Sequence, residues 1–450
     1  MKIVISGGEE LGYLFASQYS SEDDVFVIEN DAEIIGQLEK LDLKVVKGNP
    51  TSLTTLQQAE IDSADVFIAC AHSDEVNVIS CLAVKQISNA HTFCFVNKAH
   101  YFETFAGDLG EHLAIDRIIW QEKLLGEYIS KIISVPGAID VRIFEHENLK
   151  LLEYKLKEGD KNIGKSLQDI KLPRGVLAVA IFRENKVVIP GGSTVFATND
   201  KIIFMGLAES IRKVENRFKP DRKTHANIVI VGGGNVGHVL AKSLSNFGSV
   251  KIRLLENSYK RCQFLAESLP EKVMILHTNG ADPEVLKSQH VQNCDCFVTL
   301  TGSDERNFFV SMYAKNLGVK RIITRAHSID NIDFFEAMGI DVALSSQLNA
   351  IQSVDHAITD KGVDIFTFFE KGKAEIREIV APARFPATRL MDMHLPEGVV
   401  IAAIRRGGRT IVPHGSDKIK GKDRLRVFCT MDSGEALSIY LEDLMKTAKG

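Results

Sequence analysis

The chain spells one unit twice, and that duplication limits its fold more than any single motif does. Gly7 follows the strand-like run "MKIVIS", Gly232 follows "NIVIV", and the two glycines lie 225 residues apart. At the same offset "IIWQEKLLGEYISKII" (118–133) lies over "ALSSQLNAIQSVDHAI" (343–358). Further on, "GVLAVAIFRENKVVIPGG" (175–192) matches "GVVIAAIRRGGRTIVPHG" (398–415), so that Gly175, Pro190 and Asp200 pair with Gly398, Pro413 and Asp423. A unit of roughly 220 residues repeated in this way calls for two copies of one architecture rather than a single core. The charged stretch "NRFKPDRKTHAN" (216–227) reads as the joint between them.

Each unit has two parts. The first alternates short continuous apolar runs with helix-like stretches: "KIVIS", "VFVIE", "LKVVKG", "DVFIAC", "TFCFVN" and "DRIIW" in the first copy. The second copy has "NIVIVG", "IRLLE", "VMILHT", "CFVTLT", "RIITRA" and "DVALSS". Continuous apolar strands separated by amphipathic helices predict a parallel sheet covered on both faces. Six of them with a glycine-rich first turn predict a Rossmann domain. The second part is smaller and strand-rich; "LAVAIFR" and "VVIAAIRR", each with a Pro-Gly turn after it, suggest a hairpin. The expected class is therefore α/β, with two Rossmann-fold domains (1–134 and 225–359), each followed by a small α+β domain (135–218 and 360–450).

The turn after each first strand carries the chemistry. Gly232, Gly234 and Gly237 fit G-x-G-x-x-G between a strand and a helix, the context in which backbone N–H groups meet a pyrophosphate at a helix N-terminus. Gly233, Asn235 and Val236 complete that loop. An acidic residue about 20 positions on, at the end of the second strand, should take ribose hydroxyls and favour NAD over NADP; Glu256 and Glu29 stand there. Asn279 follows the third strand, Thr301, Gly302 and Asp304 follow the fourth, and Arg325 ends the fifth, where its fork can clamp phosphate. The first copy keeps Gly7, Gly8 and Gly12 but has Glu9 in the middle position, followed by Glu10 and Leu11. After its fourth strand come Ala71 and His72, and Phe95 occupies the place of Arg325. A carboxylate about 4 Å from a pyrophosphate costs on the order of 1 to 4 kcal/mol, depending on the effective dielectric. Glu9 and Phe95 both oppose phosphate, so the first site is expected to be weaker, or to prefer a cation or a neutral adenosine moiety, and the second to sense the nucleotide.

A net charge of −5 gives no bulk basic character, so nucleic acid is not an expected partner. The seven cysteines are scattered, and Cys294-Asp295-Cys296 lacks zinc spacing, so no metal site is expected and a reducing cytosol fits. No apolar run reaches the ~18 residues of a membrane helix, so any membrane connection should pass through a partner.

The duplication, together with "VVKGN" (45–49), "SDEVN" (73–77), "SDERN" (303–307) and the prolines and glycines after the small-domain strands, resembles the tandem RCK (or KTN) family. That family supplies the cytosolic regulatory subunits of bacterial Trk potassium uptake systems. The resemblance covers essentially the whole chain. It implies RCK-N Rossmann halves and RCK-C small halves, with NAD or NADH as ligand and ATP or ADP as further ones. It also implies a homotetrameric ring, peripheral on the inner face of the cell membrane, beneath a membrane potassium-translocating subunit. Family nucleotide-binding positions fall on Gly232 to Val236, Glu256, Thr301, Gly302 and Arg325, and in the first copy on Gly7 to Leu11, Glu29, Ala71 and His72. The competing expectation is an NAD-dependent oxidoreductase, which needs an acid or base facing the nicotinamide. His146, His394 and His414 sit at non-matching places in the repeat, and regulation rather than catalysis is the expected role.

Overall fold

The computed structural model describes all residues except 22, 108–112, 114, 145–147, 185, 219–225, 249, 360–364, 370–372, 431–432, 434–435, 437–438 and 441–450. Most of the charged joint, and His146, lie outside the described residues.

The first apolar runs become β1 (Lys2–Ser6), β2 (Asp24–Glu29), β3 (Lys44–Lys47), β4 (Val66–Ala69), β5 (His91–Val96) and β6 (Arg117–Trp120). They form one parallel sheet in the order β3-β2-β1-β4-β5-β6, the Rossmann order. Val4, Phe26, Phe67 and Cys94 face one covering layer, and Ile3, Ile5, Val27 and Phe93 the other, which is why these strands are apolar without alternation. The small domain adds β7 (Ala138–Phe144), β8 (Leu149–Lys155), β9 (Val176–Arg183), β10 (Lys186–Val188) and β11 (Lys201–Leu207), an antiparallel sheet in the order β10-β9-β11-β8-β7.

The second unit repeats both. Strands β12 (Ala226–Val231), β13 (Val250–Glu256), β14 (Val273–His277), β15 (Cys296–Thr299), β16 (Ile322–Arg325) and β17 (Val342–Leu344) take the order β14-β13-β12-β15-β16-β17. Its small domain contains β18 (Ile365–Phe369), β19 (Ala374–Val380), β20 (Thr388–Arg389), β21 (Val399–Arg406), β22 (Arg409–Ile411), β23 (Lys418–Ile419) and β24 (Arg424–Thr430). The five-stranded sheet there runs β18-β19-β24-β21-β22, and β20 pairs with β23. The expected hairpins are β9–β10 and β21–β22, but the chain reverses before the Pro-Gly stretch, at Gly407 and Gly408 in the second copy. Both of those glycines have positive φ, as a tight two-residue reversal demands. The paired Asp200 and Asp423 take the same role in each copy. Asp200 accepts a two-pronged bond from Arg183 at 2.7 Å and 2.7 Å, and Asp423 one from Arg406 at 2.7 Å and 2.5 Å, each carboxylate being fully buried.

The two units are laced together by an exchange. The helix Gln121–Ser134, which follows β6, leaves its own sheet and packs on the second Rossmann core: Leu125, Ile129, Ile132 and Ile133 cluster with Ile228, Ile230, Val236 and Leu240. Conversely Ala350, Ile351, Val354 and Ile358, on the helix Ser346–Thr359, join Ile3, Ile5, Leu11 and Phe15 of the first. Arg321 of the second unit caps the first exchanged helix, donating to the carbonyls of Ile132 (2.9 Å), Val135 (3.3 Å) and Ala138 (2.7 Å). The small-domain sheets also meet: Leu149, Val179, Ile203 and Met205 pack with Ala374, Ala402, Ala403 and Phe428.

One carboxylate is caught in this lacing. Asp355, on the second exchanged helix, accepts from the Tyr19 hydroxyl and from Gln18 Nε2 (2.8 Å) of the first unit, and burial pushes its carboxyl up to about 6. A carboxyl raised in the folded state is held more easily protonated, so its penalty is absent below its ordinary value near 4. The penalty grows as pH rises through the window from about 4 to about 6 and is complete above that. Asp355→Asn should therefore raise Tm at pH 7 by an amount worth about 1–2 kcal/mol. The gain over wild type should shrink at pH 5. An equal Tm difference at both pH values, in thermal scans of the pair, would show that Asp355 is not strained by its charge.

Candidate nucleotide sites

The glycine loop of the second unit is fixed by contacts that any side chain would break. Gly232 has φ +107°, and a Cβ there would lie 2.6 Å from the Leu300 carbonyl oxygen. At Gly237 a Cβ would lie 2.1 Å from the Gly232 oxygen, so strand and helix touch through bare backbone. Gly234 is different. It stands before the helix Asn235–Ser245 with φ −58° and ψ −167°, and a Cβ there meets nothing within 4 Å. The middle glycine is not required by the loop's own fold; it leaves space in front of the first-turn N–H groups, which have no helical partner.

Glu256 holds the loop from the side. Its Oε2 accepts from Gly233 N–H (2.8 Å) and its Oε1 from Ser258 N–H (2.7 Å), while the carboxylate still borders the cleft. Around this loop lies a cleft of about 240 Å³, lined by Gly232, Gly234, Glu256, Asn257, Asn279, Gly280, Thr301, Gly302 and Arg306, among others. The sequence-predicted Asn279 and Thr301 serve it partly as scaffolding. Asn279 accepts from Ala281 N–H (3.1 Å), and the Thr301 hydroxyl donates to Asn307 Oδ1 (2.8 Å).

Several of the expected site residues do not border the cleft. Gly233, Asn235, Val236 and Gly237 form the loop and helix start, with the Val236 side chain in the core. Asp304 is a staple: it accepts from His327 N–H (2.7 Å), His327 Nδ1 (2.8 Å), Ser328 N–H (3.2 Å) and Asn331 Nδ2 (2.7 Å). Burial works to raise its carboxyl, but these donors outweigh it and hold the group below its ordinary value. Asn307 completes the staple, bonding Thr301 and the Arg325 carbonyl. In the first copy Asp74 and Asn77 do the same for Asn97, Lys98, Ala71 and Phe95. The "SDERN" and "SDEVN" motifs thus tie the ends of the fourth and fifth strands together. The shared bond from Asn307 to Arg325 and from Asn77 to Phe95 confirms those two as equivalent positions.

Arg325 is the main displacement from expectation. It does not border the second cleft. It lines a larger cavity, about 560 Å³, between the two Rossmann domains, opposite the first unit's Glu9, Glu10, Leu11, Ala71 and His72. The cation over the second cleft is instead Arg306, in the first turn of the helix Asp304–Asn316, where the first unit has Val76. Sequence reading passed over Arg306 because a charged residue in an exposed helix turn carries no signal of its own.

The first unit's loop keeps the same backbone. Glu9 has φ −64° and ψ −171°, nearly those of Gly234, so the loop has not moved to accommodate its side chain. Gly7 and Gly12 repeat the close contacts, a Cβ at Gly12 falling 1.8 Å from the Gly7 oxygen. Glu29 repeats Glu256, accepting from Gly8 N–H (2.7 Å), and neither it nor the loop glycines borders the cavity. Glu9 stands near His72, Oε2 to Nδ1 being 3.8 Å, and Glu10 accepts from Gln347 Nε2 of the second unit (2.6 Å).

Comparison with known proteins agrees with this duplication. The TrkA-N domain family matches residues 3–119 and 228–346, and the TrkA-C domain family matches 151–219 and 375–441. The chain is 30% identical to "Trk system potassium uptake protein TrkA homolog 1" of Methanosarcina mazei, over 98% of this chain and 100% of that one. It is 31% identical to the TrkA homolog of Archaeoglobus fulgidus, over 97% of this chain and 99% of that one. Among solved structures it shares its fold with the GsuK channel bound to NAD, with a TM-score of 0.63 and 17% identity over 98% of this chain and 79% of that one.

Proposed function

The chain belongs to the TrkA family, and from that premise we propose that it is the nucleotide-sensing regulatory subunit of a potassium uptake system. The observation that carries the proposal is the second cleft. An intact glycine loop opens a helix N-terminus to it, Glu256 stands at the ribose position, and Arg306 supplies a cation at the rim. The ligand is an adenine nucleotide, NAD or NADH, with ADP or ATP as the alternatives; a relative in fold, the GsuK channel, has been solved with NAD. Gly232, Gly234, Glu256, Asn279, Thr301, Gly302 and Arg306 form its seat.

Gly234→Glu tests this directly. Space for the side chain exists in the empty loop, so the fold should survive. A carboxylate facing the phosphates should weaken binding at least tenfold. Calorimetry with NADH and with ADP reads the effect, and unchanged affinity for both would remove the second cleft as the nucleotide site.

Regulation rather than turnover is the role. His394 and His414 lie exposed in the small domain. Sustained NADH consumption with carbonyl substrates would overturn this reading. Among the described residues no helix is long and apolar enough to cross a membrane. In this reading a membrane potassium-translocating partner of the Trk type carries the ion. The protein works as a ring of tandem units, a homotetramer, at the inner face of the membrane. The exchanged helices are spent within the chain. A free apolar face remains on the flank of the Rossmann domains: Phe309, Phe334 and Met338 in the second, with Ile79 at the equivalent of Phe309 in the first. Phe309→Glu should shift the mass seen by light scattering from tetramer towards monomer, whereas an unaltered mass would exclude that face.

A further inference from the structure

The second small domain carries a cluster of lysines that its first-copy counterpart lacks. Residues 384–426 hold ten lysines and arginines against four aspartates and glutamates, in a chain whose net charge is −5. Backbone pairing gathers this charge. β20 and β23 set Arg389 opposite Lys418, and Arg406 donates to the Lys418 carbonyl (2.6 Å). The Lys422 N–H donates to the Ala381 carbonyl (2.8 Å), which brings the loop beside the turn that holds Arg384. Arg384, Lys418, Lys420 and Lys422 are all exposed.

The domain's acids do not neutralise this surface. Asp423 is buried and bound to Arg406, and Asp392 accepts from Arg389 Nε at 2.7 Å. Asp417 accepts from His414 N–H (2.7 Å). Among the described residues no carboxylate pairs with Arg384, Lys418, Lys420 or Lys422.

The first copy is an internal control. Its loop "STVFATND" (193–200) matches "SDKIKGKD" (416–423), so Val195, Ala197 and Asn199 stand where the second copy has Lys418, Lys420 and Lys422. The backbone is the same in both. Ser166 bridges Val195 as Arg389 pairs with Lys418, Phe196 and Ile419 are both buried, and Asn199 and Lys422 have φ of +67° and +68°. The fold therefore needs none of the three lysines, and at the left-handed φ of Lys422 asparagine is the easier residue. Beside the loop stands Met391, 64% exposed on the turn Leu390–Asp392 and tied to the loop by its N–H bond to the Gly415 carbonyl (2.8 Å). The first copy has Gln168 there.

We propose that this face docks on an anionic lipid surface, with its lysines against the phosphate headgroups and Met391 entering the interface. Lysine is a compact point charge that suits a diffuse field of headgroups, and an apolar side chain among basic ones adds buried area at the membrane boundary. The guanidinium forks that would suit a peptide carboxylate, those of Arg389 and Arg406, are already engaged by the domain's own acids. The proposal rests on the reading above only in placing the chain at a membrane, and it uses neither nucleotide site.

Full-length protein is sedimented with vesicles of phosphatidylcholine mixed with phosphatidylglycerol, and with vesicles of phosphatidylcholine alone. Binding is expected to the first kind only, and it should weaken as salt is added. Giving the second copy the first copy's residues, Lys418→Val with Lys420→Ala and Lys422→Asn, should lower the affinity at least tenfold, since each lysine near an anionic leaflet contributes up to about fivefold. Met391→Gln should weaken binding less and leave its salt dependence in place. Wild-type protein that ignores anionic vesicles, or binds both kinds alike, overturns the proposal. So does a triple variant that binds like wild type. Capture by immobilised polyglutamate without binding to anionic vesicles also overturns it, and assigns the face to an acidic protein. Should the triple variant not fold, Arg384→Ala with Lys420→Ala, both at exposed positions, decides between the same outcomes. The vesicles hold no potassium-translocating subunit and no nucleotide, so failure here leaves the nucleotide-sensing role standing, and failure of NADH and ADP to bind leaves this proposal standing.

Discussion

Gly237→Ala should destabilise the protein by about 3 kcal/mol, although it adds one methyl group. The added carbon would fall 2.1 Å from the Gly232 carbonyl oxygen, and both partners are backbone, so no rotamer change can relieve the contact. The helix Asn235–Ser245 would have to lift from β12, and with it Leu240 and Leu244, which sit in the core shared with the exchanged helix. Gly12→Ala should act alike in the first unit, where the corresponding distance is 1.8 Å. Gly234→Ala is the control. Its Cβ meets open space at negative φ, so a cost below about 1 kcal/mol is expected. Urea unfolding of the three variants tests the ranking, and a Gly237→Ala protein as stable as Gly234→Ala would sink it.

Ile129→Asp should be more damaging still. Ile129 is fully buried on the exchanged helix, against Ile228 and Leu240 of the other unit. The substitution removes an apolar side chain, worth about 2–5 kcal/mol when cut to alanine, and places a carboxyl where nothing can pair with it. The expected result is loss of soluble protein, or a form in which the second Rossmann domain is rapidly cut by protease. The same lacing makes a gentler prediction. Fragments 1–218 and 226–450, produced together, should copurify, because each contains the helix that completes the other's core. Fragments that purify separately as folded monomers would show that the exchange is not what joins the units.

Much of this was legible in the chain. Period and apolar continuity gave both parallel sheets, since strands buried on two faces leave no polar alternation to misread, and the 225-residue echo gave the second copy at once. Neither element could say where the helix after the sixth strand would go. Leu125, Ile129 and Ile132 mark an apolar face equally well for their own sheet, for a neighbouring chain or for the other half of the same chain, and local spacing does not distinguish these. Which cavity Arg325 lines was hidden for the same reason: it stands at the strand end as expected, but the cavity is made by two domains whose mutual placement the sequence does not encode locally. Asp304 read as a ligand because a carboxylate beside a switch point looks alike whether it faces a nucleotide or the next loop's N–H groups.

The nearly identical backbone at Glu9 and Gly234 has an evolutionary consequence. Position nine is uncoupled from folding: the loop keeps its path with a carboxylate or with none, while its flanking glycines stay locked by contact. A duplicated sensor built on such a loop can drift in what it recognises without passing through unstable intermediates. One copy can keep the ancestral ligand while selection tries out chemistry on the other, one surface residue at a time.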